Sequence, residues 1–112
     1  MFILDLDPVF TWPVTVRMPN EGGFRESTFA ARFRLLNEVD RDTLIVEGGD
    51  TGLLRRALIG FDDVETPDGK PFDNSAESLA AALNLQPIRV ALADAYAAAV
   101  YGAAPSAAAR GN

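Results

Sequence analysis

Hydrophobic and polar positions alternate most clearly near the start of the chain. Phe10, Trp12, Val14, Val16 and Met18 interleave with Thr11, Pro13, Thr15 and Arg17, the period-two pattern of a strand with one buried face. Pro13 lacks an amide donor, which predicts an edge strand or a bulge. Pro19-Asn20-Glu21-Gly22-Gly23 is a turn signal, and beyond it Phe29, Ala31, Phe33 and Leu35 alternate against Ala30, Arg32, Arg34 and Leu36. The two runs predict an antiparallel hairpin. A lone hairpin is marginal in water, so its aromatic face (Phe10, Trp12, Phe29, Phe33) requires a cover. Upstream, residues 2–6 predict a short strand cut off by Asp5, Asp7 and Pro8.

The period then lengthens. Residues 37–49 fit two patterns: Asn37-Glu38-Val39-Asp40 can begin a helix, whereas Leu44-Ile45-Val46 is β-prone and Gly48-Gly49 ends either element. Asp50 or Thr51 then caps a short helix that places Leu53, Leu54, Ala57, Leu58 and Phe61 on one face, with Arg55 and Arg56 pointing away. From Ile59 to Leu85 runs the most specific local grammar: apolar anchors at Phe61 and Phe72 flank a Pro67-Asp68-Gly69 turn in which Gly69 tolerates a left-handed conformation. Asn74 reads as a helix N-cap, with Glu77 three residues on completing a capping-box pattern. The helix from about Ser75 to Asn84 carries Ala76, Leu79, Ala80 and Leu83 on one side. Pro87 suits the first turn of a last helix that stops at Gly102, with Ile88, Leu92, Tyr96 and Val100 as its inward stripe. These elements predict an α+β fold: an N-terminal antiparallel β-hairpin or small sheet followed by three to four α-helices. They form one domain over residues 1–102, and AAPSAAARGN (residues 103–112) reads as a disordered tail.

Composition narrows the chemistry. The chain has no Cys and no His, which removes cysteine nucleophiles, zinc fingers, disulfide frameworks and Ser-His-Asp triads. A net charge of −6 argues against a nucleic-acid partner, whose phosphates call for clustered Lys and Arg. The apolar start MFILDLD has no basic flank and no stretch approaches the length of a bilayer span, so a cytoplasmic protein without a membrane partner is expected.

Asp62, Asp63, Glu65, Asp68, Asp73 and Glu77 crowd one segment with only Lys70 opposing them. Set on an EF-hand template with Gly69 as the sixth position, the loop puts Val64 first and Ser75 twelfth, where carboxylates are needed. The motif fails, and the charges read as a solvated loop. The paired glycines at 22–23 and 48–49 lack the Lys-Ser/Thr of a phosphate loop. No catalytic set, cofactor or metal is therefore expected. The final helix is less ordinary: between Ile88 and Tyr101 it carries only Arg89 and Asp94 as charges. Small and aromatic residues in place of charges suit docking against another chain, which makes Val90, Ala93, Ala97 and Tyr101 the candidate interface; high alanine propensity alone is the competing explanation.

Taken together, these segments resemble the small tail assembly chaperones that tailed bacteriophages and prophages encode just before the tape measure gene. The resemblance rests on Phe29-Ala30-Ala31-Arg32-Phe33, on Ile59-Gly60-Phe61-Asp62-Asp63-Val64 with Asp68-Gly69, Pro71-Phe72 and Ser75-Ala76-Glu77-Ser78-Leu79, and on Ala95-Tyr96 in the closing helix. It covers residues from about 14 to 101. Where this chain has Phe61, the family more often has Trp. The resemblance implies a non-enzymatic chaperone with the tape measure protein and tail tube protein as partners, and the apolar final helix adds a homo-oligomer as a further expectation. A head-tail connector or other phage structural component, and a small acidic ligand-binding domain, are the competing readings.

Overall fold

The structure is a computed structural model and describes residues 1–102; the tail expected at 103–112 lies outside the described residues. Its elements are β1 (Val9–Asn20), β2 (Gly23–Arg34), α1 (Glu38–Ala57), β3 (Leu58–Asp62), α2 (Ala76–Leu83) and α3 (Gln86–Tyr101). The fold is α+β, a three-stranded antiparallel sheet in the order β1-β2-β3 with helices over one face. Among the described residues, no helix is long and apolar enough to cross a membrane.

The expected hairpin forms around Glu21-Gly22, with Gly22 at φ 79° and a register running from Asn20↔Gly23 to Val9↔Arg34. The Leu35 amide donates to the Pro8 carbonyl at 2.9 Å. That bond sets the antiparallel alternation: even-numbered β1 residues exchange hydrogen bonds with β2, and odd-numbered ones face outward. Pro13 and Pro19 both fall on odd positions, so neither removes a ladder bond, and β1 is the edge strand that Pro13 predicted. Val14 and Val16 are buried on the inward face, and Phe10, Trp12 and Met18 are half-buried beside them.

Several expectations need correction. Residues 2–6 form no strand; their side chains are exposed and the segment bends where the Asp7 amide donates to Asp5 Oδ1 at 2.9 Å. With no strand among the described residues paired to it, an alternating run has no ladder to join. Leu35 lies past the end of β2 and is exposed, and Leu36 packs against the core instead. The ambiguous stretch 37–49 is helical from Glu38 up to the break at Gly49. Asn37 caps it by accepting from the Asp40 amide at 2.9 Å, so the capping signal outweighs the β propensity of Leu44-Ile45-Val46.

Gly49 breaks α1 as expected, with φ 63° and ψ −155°. The break is sharp. A Cβ placed on Gly52 would lie 2.9 Å from the Leu44 carbonyl oxygen, although residues eight apart in a straight helix are separated by about 12 Å.

The helix beyond Gly49 buries Leu53, Leu54 and Ala57 but stops there; Leu58 and Phe61 belong to β3. Helical periodicity had placed them on the same face. Two physical facts override it: Gly60 is a poor helix residue, and β2 offers an open edge that β3 fills with Ala31↔Phe61 and Arg32↔Gly60. Gly60 is also required sterically, since a Cβ there would sit 2.9 Å from Asn74 Cγ.

The core lies between the sheet and α3, with Val14, Phe33, Leu54, Leu83, Leu92 and Tyr96 fully enclosed. The α3 stripe is wider than four residues, because Ala91 and Ala95 are buried alongside Leu92 and Tyr96. Tyr96 packs its ring 5.3 Å from Phe33 and 6.1 Å from Phe10. Its hydroxyl donates to the Arg34 carbonyl at 2.9 Å and accepts from the Leu36 amide at 3.0 Å. That hydroxyl ties α3 to the point where the chain leaves β2. Burial pushes the Tyr96 phenol pKa above its ordinary value.

Candidate functional site

The site is assembled by the loop after β3. Asp63 takes a left-handed φ of 56°, uncommon for a residue with a side chain, and this turns the chain off the sheet. The loop then folds into a ribbon of its own. Phe72 N–H donates to the Val64 carbonyl at 2.7 Å, Thr66 N–H to the Lys70 carbonyl at 2.8 Å, and Gly69 N–H to the Thr66 carbonyl at 2.9 Å. Pro67 and Asp68 are the central residues of that turn and Gly69, at φ 82°, follows in the left-handed region, the three-residue hairpin loop closed by a glycine bulge. The Asp68 carboxylate accepts from the Thr66 hydroxyl, which holds its pKa below the usual carboxylate value.

The ribbon brings Phe61 and Phe72 together, with ring centroids 5.4 Å apart; Phe61 also packs edge-on to Phe29 at 5.3 Å. Asn74 does something other than the capping expected of it. Ser75 is the N-cap of α2, accepting from the Ser78 amide at 3.2 Å. The Asn74 side chain instead accepts from Phe61 N–H through Oδ1 and donates to Phe61 C=O through Nδ2, both at 3.0 Å. The carboxamide stands in for a peptide of a fourth strand and closes the outer edge of β3. Asn74 is free for this because Ser75, one residue on, supplies the capping oxygen. Glu77 lies exposed in the first turn of α2.

The acidic residues are dispersed. Asp62 pairs with Arg32 at 2.7 Å, and among the described residues no three acidic side chains converge as a metal ligand set.

What the ribbon, the sheet and the α2–α3 corner enclose is an apolar groove of about 620 Å³. Val16, Met18 and Phe29 form its sheet wall, Val64 and Phe72 its loop wall, and Leu85 and Ile88 the wall from the helical corner. Ser27, Glu65 and Ser78 are its polar rim. Leu85 is 53% exposed at the mouth. These residues come from positions 16 to 88, and each reads alone as ordinary core. The one signal available to the sequence was Leu85, a large apolar side chain between two helices and on neither stripe.

The candidate interface on α3 is placed differently from that groove. Val90 and Tyr101 are exposed, Ala93 and Ala97 half-buried, and Ala93 packs against the domain's own core. Tyr101 is covered on one face by the Arg41 guanidinium, 5.0 Å from its ring centroid. Arg41 is itself buried; its nearest carboxylates, Glu38 and Asp42, are both at 3.9 Å.

The arrangement defines a helix-covered antiparallel sheet carrying an open apolar groove. No family model, curated protein or solved structure matches this chain.

Proposed function

We propose that this protein is a non-enzymatic tail assembly chaperone of a tailed phage or prophage, working in the bacterial cytoplasm, and that the groove holds an apolar segment of the tape measure protein while the tail tube assembles around it. The observation that carries the reading is the groove itself: a cleft lined by Met18, Phe29, Val64, Phe72, Leu85 and Ile88 with only three polar rim residues. Its chemistry is that of a site for an apolar polypeptide segment. Met18, with its flexible thioether, suits a surface that must accept sequences of varied shape. The acidic balance, net −6, supports the same role by keeping a chain that carries an apolar segment dispersed in solution. Recruitment of the tail tube protein rests on the resemblance alone.

The test is co-expression with the tape measure protein encoded beside it. Leu85→Glu puts a charge at the groove mouth on a side chain already half exposed, so the fold should be retained. Loss of tape measure capture and solubility with this variant, against retention by the parent, supports the reading. Equal capture by both removes the groove from it, and capture by neither removes the chaperone role.

A further inference from the structure

The groove borders a stretch of backbone with no partner. β3 pairs with β2 only from Ala30 to Phe33, and at Asp63 the chain swings away, so among the described residues the β2 edge from Gly23 to Phe29 has no strand beside it. By the alternation fixed in the hairpin, the amides and carbonyls of Phe24, Glu26 and Thr28 point out from that edge. The other edges differ: the outward positions of β1 are interrupted by Pro13 and Pro19, and β3 is closed by Asn74. Among the described residues the Gly23–Phe29 stretch is thus an open strand edge uninterrupted by proline, and it lies beside the apolar groove.

The same chain carries a segment of matching form. Phe2, Leu4 and Leu6 are 83%, 70% and 87% exposed and recur with period two, while Asp5 and Asp7 fall on the opposite side of the run together with the exposed Met1 and Ile3. Extended, this segment is a half-apolar strand with nothing among the described residues to cover it. It cannot lie along the open edge of its own molecule. The middle of that edge is opposite Arg17, about 31 Å along β1 from Pro8 at some 3.4 Å per residue, whereas the seven residues before Pro8 span at most about 24 Å.

We infer that Met1–Asp7 of one copy adds as a strand to the Gly23–Phe29 edge of a second copy, with Phe2, Leu4 and Leu6 filling the groove, and that the exchange is reciprocal. Strand addition supplies the backbone hydrogen bonds while alternate side chains enter the pocket, and a two-fold exchange closes the assembly as a dimer. The inference rests on the groove being a site for an extended apolar segment, and it makes this arm a competitor of any partner segment that uses the same groove.

Sedimentation equilibrium of the full chain tests it. The parent should be a dimer. A Phe2→Asp/Leu4→Asp variant, altered only in the exposed arm, should be a folded monomer or raise the dimer dissociation constant by about tenfold for each apolar side chain withdrawn from the groove, 1.4 kcal/mol apiece. Leu85→Glu, altered only at the groove, should weaken the dimer likewise, and an equimolar mixture of the two variants should recover heterodimers through the one intact arm-groove pair. Because the chain has no cysteine, Leu4→Cys on one copy and Ser27→Cys on another should form an interchain disulfide under mild oxidation. A monomeric parent, a dimer indifferent to the arm variant, or no interchain disulfide between the two single-cysteine copies overturns the inference. The chaperone reading is decided separately: tape measure capture lost in Leu85→Glu and kept in the arm variant leaves it standing whatever the oligomer does.

Discussion

Replacing Tyr96 with Phe removes one oxygen and keeps the ring, so it isolates what the phenol hydroxyl contributes to the join between α3 and the end of β2. The ring contacts to Phe10 and Phe33 survive the change. The two hydrogen bonds do not: the Arg34 carbonyl loses its donor and the Leu36 amide its acceptor. A buried polar group stripped of its partner costs about 1–3 kcal/mol. Both stranded groups are only partly enclosed, and water can re-satisfy some of that loss, so about 1–2 kcal/mol is expected. For a domain of this size about 1 kcal/mol moves the melting temperature by 4–8 °C, and calorimetry at neutral pH should show a fall of roughly 4–16 °C on that scale. The pH dependence gives a second, independent readout. Burial raises the Tyr96 pKa in the folded state, so the folded protein holds the phenolic proton more tightly than the unfolded chain. That contribution is fully present below the ordinary tyrosine value and is lost as pH rises through the folded one. The parent should therefore shed stability in the alkaline range, and Tyr96→Phe should lose less there. Equal melting temperatures at neutral pH, together with identical alkaline limbs, would refute the assignment of a structural role to this hydroxyl.

Three further outcomes follow from the loop and helix geometry. Gly69→Val should destabilise the domain by about 1–2 kcal/mol, since nothing crowds a Cβ at that position but its φ of 82° is strained for a β-branched residue; a denaturant midpoint equal to the parent's would contradict the turn geometry. Asn74→Ala should cost about 1–3 kcal/mol by stripping both backbone groups of Phe61 of their partners, whereas Ser75 would still cap α2, so helix content by circular dichroism should hold below the melt. Ala97→Glu should leave tape measure capture and the dimer unchanged, because α3's outer face is distinct from the groove; loss of either would move the interface to Val90, Ala93, Ala97 and Tyr101.

Much of the architecture was legible in local pattern. The hairpin, its register-setting turn, the edge position of β1, the Gly69 turn and the break at Gly49 all follow from signals within a few residues of where they act. What escaped depended on distant partners. Leu58 and Phe61 sit at helical spacing from Leu54, and only the vacancy beside β2 makes them a strand. Asn74 carries a capping side chain, and only the approach of Phe61 across Gly60 gives it another use. The groove needs the sheet, the loop and the helical corner at once, and no window of sequence contains all three. Tyr96 marked the inward stripe correctly, but the partners of its hydroxyl, Arg34 and Leu36, are about sixty residues away in sequence and invisible to periodicity.

The bend at Gly49 gives the molecule regions of unequal durability. Each half of α1 is shorter than the roughly 12–15 residues at which an isolated helix begins to hold together in water, so each depends on what it is packed against. The half after Gly49 has Leu53, Leu54 and Ala57 in the core. The half before it buries only Arg41, while Val39 and Val46 are 73% and 85% exposed. Amide protons along Glu38–Gly48 should therefore exchange with solvent through small local openings, while those of the sheet and α3 wait for the whole domain to come apart.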